Sequence, residues 1–252
     1  STTPPTILFD SGAGVDPSPG ALASVATSAS RPATADSKVT ANWQFYTETP
    51  GVGARTATSP QRPLEQLALT NNEFDHMWYS TAVPQSAHTT DPAAFRAAGV
   101  DGTELSAVTV ANGTIHVLSS AMGMKNGGES PTDGKGISSA GKGPTFDGHS
   151  LLGQEWTSRW MLSGEELRIF DPATTDDVMW LDVEGADTDV NKASATWFRA
   201  TMDIPTSASV TGAEDGVRDG PLQLAYALNL TTMWKGTAYV NGFFLGRYWM
   251  LA

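Results

Sequence analysis

Apolar residues along the chain fall in short runs that alternate with polar residues and end at turn-forming residues. Runs of this kind are typical of β-strands rather than helices. Clear examples are Asn42–Tyr46, Met77–Val83, Leu105–Val110 and Thr114–Leu118. Few stretches carry a sustained helical period, and Pro63–Leu69 reads either as a turn of helix or as a strand. The pattern predicts an all-β protein.

Two Asn-Gly pairs lie between β-prone runs. Asn112-Gly113 precedes the run that ends at Leu118, and Asn241-Gly242 lies between Gly236–Val240 and Phe243–Trp249. An Asn-Gly turn between alternating runs is the strongest short-range hairpin signal, because both turn residues must tolerate positive φ. We therefore predict one hairpin at each pair.

Further runs with strand character occupy the second half of the chain: Trp156–Met161, Leu167–Phe170, Val178–Val183, Trp197–Ile204 and Leu222–Leu228. The two hairpin regions are far apart in the sequence. Two β-sandwich or jelly-roll modules therefore fit the pattern better than one.

Composition divides the chain into segments. Residues 1–40 are rich in Ser, Thr, Ala, Gly and Pro, and only Thr6–Phe9 looks like a strand there. Such a segment buries too little apolar area to offset its ordering entropy unless it lies on something else. We predict an irregular N-terminal strap or linker over 1–40, a first module over 41–185 with a glycine-rich loop at 119–149, and a second module over 186–252.

The chain has 252 residues and is strongly acidic, with 15 Lys and Arg against 27 Asp and Glu and a net charge of −12. Such a surface repels phosphate backbones and anionic lipids, so nucleic acid and membrane surfaces are not expected partners. No apolar run approaches the roughly 18 residues that span a bilayer. Cysteine is absent, which excludes disulfides, thiolate metal sites and a cysteine nucleophile.

Polar residues give weak chemical signals. Adjacent acids such as Glu165-Glu166 fit solvated turns better than a catalytic dyad, and Gly134-Lys135-Gly136 fits a loop better than a phosphate cradle. Asp171 with Asp176 and Asp177 could bind calcium, but the spaced loop pattern is absent. The four histidines show no zinc-ligand spacing. No catalytic residue, metal or cofactor is predicted.

Eight tryptophans are the more informative residues. Trp78, Trp180 and Trp197 lie in strand patterns and are expected in the core. Trp234 and Trp249 flank the terminal hairpin, where aromatic rings either pack or form a face that stacks on sugars.

Two sequons, at Asn112 and Asn229, are candidate glycosylation sites. The chain starts at Ser1 without a signal segment, as expected for a processed product or a fragment. The expected location is secreted, or vacuolar or lysosomal.

Four segments, Trp43–Glu48, Pro63–Thr81, Trp197–Pro205 and Met233–Trp249, resemble family 35 β-galactosidases of the plant type. Met233–Trp249 is similar to that family's "M-x-K-G-x-x-x-V-N-G-x-x-x-G-R-Y-W" segment in its C-terminal galactose-binding-like jelly roll. Trp197–Pro205 is similar to the strand "W-Y-K-x-x-F-x-x-P". Trp43–Glu48 and Pro63–Thr81 resemble "W-x-x-Y-x-E" and "L-E-Q-L-x-x-T…D-Y-L-W-Y-x-T" of the first jelly roll, although His76 and Met77 depart from the pattern.

The resemblance implies a non-catalytic role. The family's two catalytic glutamates lie in a (β/α)8 barrel that precedes these modules, and no segment here matches that barrel. In the family, the Arg, Tyr and Trp of the terminal motif mainly pack and form hydrogen bonds. If the hairpin contacts a galactoside instead, the candidate ligand-binding residues are Trp234, Asn241, Arg247, Tyr248 and Trp249.

In the family the chain continues past "G-R-Y-W" into closing strands, whereas this sequence ends at Ala252. The second jelly roll is therefore expected to be incomplete, with its missing strands supplied by a catalytic-barrel chain or another partner. Three hypotheses follow: the non-catalytic part of a β-galactosidase-like hydrolase beside a barrel, a stand-alone galactoside-binding module, and a structural interaction subunit without sugar contact.

Overall fold

The computed structural model of the chain describes residues 6–11, 25–28, 42–99, 103–121, 134–139, 143–174, 176–183, 195–201, 225–228, 230 and 235–249. Strands dominate the described part of the chain. The first eight are β1 (Thr6–Ser11), β2 (Val25–Ser28), β3 (Asn42–Thr47), β4 (Arg55–Ser59), β5 (His76–Ala82), β6 (Phe95–Arg96), β7 (Glu104–Ala111) and β8 (Thr114–Ser120). The others are β9 (Thr145–Phe146), β10 (His149–Ser150), β11 (Trp156–Trp160), β12 (Leu181–Asp182), β13 (Thr196–Thr201), β14 (Ala225–Leu228), β15 (Lys235–Val240) and β16 (Phe243–Trp249).

Helices are short. They are α1 (Gln66–Thr70), α2 (Ser163–Glu166) and a 3-10 turn at Pro92–Ala94. No helix in the described part of the chain has the length and apolar character needed to cross a membrane. The prediction of an all-β protein is confirmed.

A five-stranded antiparallel sheet in the order β4-β11-β5-β8-β7 forms the first sandwich with the three-stranded sheet β10-β9-β6. Its central strand β5 is buried on both faces, because Met77 and Tyr79 face one core and Trp78 faces another. The larger core, between the two sheets, includes Phe146 and Trp156. Six of the seven residues of β5 are buried, and they include the polar His76, Ser80 and Thr81.

A six-stranded sheet in the order β12-β3-β13-β1-β15-β16 forms the second layer. Its strand β1 lies between β13 and β15, pairing antiparallel with both. The strand predicted at Thr6–Phe9 is thus confirmed as an interior strand of this sheet. A further pair, β14 with β2, forms a two-stranded sheet.

Strand pairing crosses the segment boundaries predicted from composition. The six-stranded sheet combines β1 from the predicted strap, β3 and β12 from the predicted first module, and β13, β15 and β16 from the second. Backbone hydrogen bonds between distant segments decide this grouping, and composition carries no information about them. The extent of each folding unit stays a prediction.

Both predicted hairpins are confirmed. β7 and β8 pair across Asn112-Gly113, and β15 and β16 pair across Asn241-Gly242. All four turn residues have positive φ, between 50° and 81°. Two-residue turns of this type match the right-handed twist of the paired strands.

Two predicted strands differ in the structure. Leu167–Phe170 continues the turn of α2, since the Leu167 N–H bonds to the Ser163 carbonyl and the Ile169 N–H to the Gly164 carbonyl. Val178–Val183 contributes only Leu181–Asp182 as strand. Short apolar runs do not distinguish a strand from a buried turn, so the prediction at Leu167–Phe170 was wrong.

The remaining expectations are resolved by local contacts. The ambiguous segment Pro63–Leu69 forms most of α1, which begins at Gln66, and part of the predicted glycine-rich loop is the strand β9, which pairs with β6 and β10. Trp78 and Trp197 are core residues as predicted, whereas Trp180 is half-buried at the edge of an aromatic cluster.

Candidate functional site

The four described residues among the predicted ligand residues of the terminal hairpin do not form one surface. Asn241 is exposed in the turn, Tyr248 is buried, and Arg247 and Trp249 project from the same face of β16 toward different neighbours. Trp234 lies outside the described residues. Of the two sequon asparagines, Asn112 is exposed in its turn and Asn229 lies outside the described residues.

Arg247 joins the terminal hairpin to the first sandwich. Its Nε donates to Oδ2 of Asp75 at 2.5 Å, and Asp75 is only 6% exposed. The Asp75 backbone carbonyl in turn accepts from the Gln66 side chain and the Ala121 N–H. The hydrogen bond to Asp75 raises the pKa of Arg247 above its usual range. This ion pair therefore links the six-stranded sheet to the first sandwich.

Trp249 and Lys235 form a second contact on the same hairpin. The Lys235 Nζ lies 5.0 Å from the centre of the Trp249 ring, in a cation–π arrangement, and the Lys235 side chain is fully buried. Trp249 itself remains 43% exposed. One face of this ring is therefore occupied by the protein.

Glu48 connects the family-like segments inside the molecule. Its buried carboxylate accepts from the backbone N–H of Ser163 and Gly164 and from the indole of Trp197, at 3.0, 2.8 and 2.8 Å. Burial, and then the charge of Glu48, raise the pKa of Tyr46. The glutamate that ends the "W-x-x-Y-x-E" segment thus positions the tryptophan that begins the later strand motif.

Internal hydrogen bonds also stabilise the segment Pro63–Thr81. The Glu65 carboxylate caps α1 by accepting from the Leu67 and Ala68 N–H groups, and it also accepts from the Lys135 N–H at 2.5 Å. The Tyr79 hydroxyl donates to the Leu64 carbonyl, and burial raises the pKa of Tyr79. The motif-like residues of this segment therefore serve packing and hydrogen-bond contacts in this structure.

Acidic and histidine side chains are dispersed. Among the described residues, no group of three or more His, Asp or Glu side chains could hold a metal ion. Asp171 and Asp176 face Arg168 and Arg199, respectively. Three histidine rings bond to serine hydroxyls: His76 to Ser120, His116 to Ser80 and His149 to Ser86.

The outer edge of the six-stranded sheet carries exposed apolar side chains. β16 is the edge strand, and its large exposed residues are Phe243, Phe244, Leu245 and Trp249. Gly246, with φ of +146°, lies at a bulge in the pairing of β15 with β16. Exposed apolar side chains on an edge strand are a feature that soluble proteins usually avoid, because such an edge can pair with another strand.

A polar cleft of about 480 Å³ at the opposite edge of this sheet was not predicted from the sequence. Asp182, Gln44 and Arg199 lie directly across from one another on β12, β3 and β13. Asn42 and Thr201 pair beside them. The alternating polar positions of β3 and β13 carry the signal, but only the strand pairing brings these residues together.

Comparison with known proteins supports the family resemblance. Residues 195–252 match the family described as "Beta-galactosidase, galactose-binding domain". Beta-galactosidase 10 of Arabidopsis thaliana is 22% identical over 82% of this chain and 30% of its own length. Beta-galactosidase 12 of Oryza sativa subsp. japonica is 26% identical over 82% of this chain and 24% of its own length. Probable beta-galactosidase 2 of Dictyostelium discoideum is 23% identical over 75% of this chain and 26% of its own length.

The chain thus spans under a third of the length of these relatives. The family match falls on β13 to β16, and the similarity to the whole relatives extends over most of the chain. The sequence resemblance is confirmed: this β-sandwich chain resembles the C-terminal, galactose-binding-like, non-catalytic portion of family 35 β-galactosidases.

Proposed function

We propose that the chain is the non-catalytic β-sandwich part of a β-galactosidase-like glycoside hydrolase and supports the substrate cleft of a catalytic barrel. The main support is the pairing of residues from separate family-like segments. Asp75 bonds to Arg247, and Glu48 bonds to Trp197. The resemblance therefore involves a connected unit of packing rather than isolated similarities.

The proposed partner is a chain or segment that carries the barrel and its two glutamates. In that assembly, the barrel would perform retaining hydrolysis of a terminal β-galactoside, with one carboxylate as nucleophile and the other as acid and base. The apolar edge strand β16 supports such a contact, because Phe243 is 71% exposed and Leu245 is 53% exposed.

The experiment combines this chain with the separately expressed barrel segment of the Oryza sativa relative. Native mass spectrometry and hydrolysis of a chromogenic β-galactoside are measured for each component and for the mixture. We expect no hydrolysis by the chain alone, a complex in the mixture, and faster or more stable hydrolysis by the barrel when the chain is present.

A matched pair of variants tests the docking edge. Phe243→Ser should weaken the complex, whereas Met179→Ser should not, because Met179 is 77% exposed and lies two residues before β12, the strand at the other edge of the sheet. Hydrolysis by the chain alone, or a mixture without complex or effect on the barrel, would contradict the proposal.

A further inference from the structure

We propose that the polar cleft at the β3–β12–β13 edge binds a neutral saccharide. This cleft is lined by side chains of one sheet face, Asn42, Gln44, Asp182, Arg199 and Thr201, together with Asp176. Its volume of about 480 Å³ lies within the roughly 300–1,000 Å³ of ligand clefts. It lies at the opposite edge of the sheet from the apolar strand β16.

The polar groups of the cleft are held in place by one another. The Arg199 Nε donates to Gln44 Oε1 at 2.8 Å, and the Gln44 amide donates to Asp182 Oδ1 at 2.9 Å. Arg199 also donates to Asp176 at 2.6 Å. Its guanidinium lies 4.5 Å from the centre of the Trp180 ring. Side chains that are already ordered lose less entropy when a ligand binds.

The charges of the cleft select the class of ligand. Two carboxylates disfavour an anion such as phosphate, and the guanidinium of Arg199, which bonds to Gln44 and Asp176, disfavours a metal cation. Asp176 is 85% exposed, and Asn42, Asp182 and Thr201 are exposed as well. Carboxylate, amide and hydroxyl groups together offer both donors and acceptors, which suits the hydroxyl groups of a neutral sugar.

The choice of galactosides as first probes rests on the function proposed above. The full 252-residue chain is titrated by calorimetry and by saturation-transfer NMR with lactose and β-1,4-galactotetraose. Maltotetraose, inorganic phosphate and Ca²⁺ are titrated in parallel. We expect saturable binding of a saccharide and no binding of phosphate or Ca²⁺ at the cleft.

Variants locate the site. Asp182→Ala and Asn42→Ala change exposed side chains and should each weaken saccharide binding about tenfold, the effect of losing one good hydrogen bond. Asp177→Ala is the matched control, because Asp177 is an exposed acid next to Asp176 but does not line the cleft. Unchanged melting temperatures establish that each variant is folded.

The outcomes separate the two proposals. Saturable saccharide binding that both cleft variants weaken supports the inference. If maltotetraose binds in this way while the galactosides do not, the saccharide site is supported and its assignment to galactosides fails. Absence of saturable saccharide binding overturns the inference. So does saccharide binding whose affinity neither cleft variant changes, or binding of phosphate or Ca²⁺ alone. None of these results depends on whether a barrel chain associates.

Discussion

Replacing Glu48 with alanine should lower the free energy of unfolding by about 4 kcal/mol. The side chain is 1% exposed and accepts from two enclosed donors, the Gly164 N–H and the Trp197 indole, and from the half-buried Ser163 N–H. A buried donor that loses its acceptor costs roughly 1–3 kcal/mol. Water can replace the bond to Ser163, so the two enclosed donors account for most of the loss.

Glu48→Gln should cost less, roughly 1–3 kcal/mol. Its carbonyl oxygen can keep the two bonds made by Oε1, to Gly164 and Trp197. Its amide group then faces the Ser163 N–H, where two donors meet. A free energy of unfolding that falls from wild type to Glu48→Gln and again to Glu48→Ala is therefore expected for a carboxylate that accepts three hydrogen bonds.

Urea unfolding followed by tryptophan fluorescence and circular dichroism measures these differences. For a chain of this size, a loss of about 4 kcal/mol lowers the melting temperature by roughly 8–16 °C. The control is Glu166→Ala, which changes an exposed acid in the same α2 turn. If Glu48→Ala costs less than about 1 kcal/mol, or no more than the control, the three-bond account is refuted.

Three other contacts make predictions of the same kind. Arg247→Ala should lower the free energy of unfolding by roughly 2 kcal/mol, because it leaves the buried Asp75 carboxylate without its cation. An unchanged free energy of unfolding in urea would contradict a stabilising role of this ion pair. Gly246→Ala should cost roughly 1–3 kcal/mol, because φ of +146° strains any side-chain residue, and an unchanged melting temperature would exclude that strain. Burial lowers the pKa of His116, so the unfolded chain binds a proton more readily and stability falls as pH drops below about 6.5. Between about pH 8 and about pH 5, the free energy of unfolding of His116→Gln should fall by less than that of the wild type. If the two plots of free energy of unfolding against pH are parallel, His116 does not contribute to the pH dependence.

Local chemistry made several parts of the fold predictable. Both Asn-Gly hairpins follow from the tolerance of those residues for positive φ, and the strand β5 lies within the strand-like run predicted at Met77–Val83. Leu167–Phe170 was unpredictable for the opposite reason. Four residues carry too little periodicity to separate a strand from the turn that follows α2.

The candidate sites were less accessible to sequence reasoning. The motif residues Glu48 and Arg247 could be recognised, but their partners Trp197 and Asp75 lie more than 100 residues away along the chain. Sequence similarity located these residues without distinguishing ligand contacts from packing contacts. That distinction depends on burial and on hydrogen-bond partners.

The β class, both hairpin turns, the acidic charge and the resemblance to β-galactosidases could all be derived from the sequence, because each depends on neighbouring residues or on a contiguous motif. The place of β1 in the second sheet, and the row formed by Asp182, Gln44 and Arg199, became visible with the three-dimensional arrangement. Those arrangements depend on which strands share backbone hydrogen bonds. Pairing between distant strands is a property of the whole fold, and no local pattern specifies it.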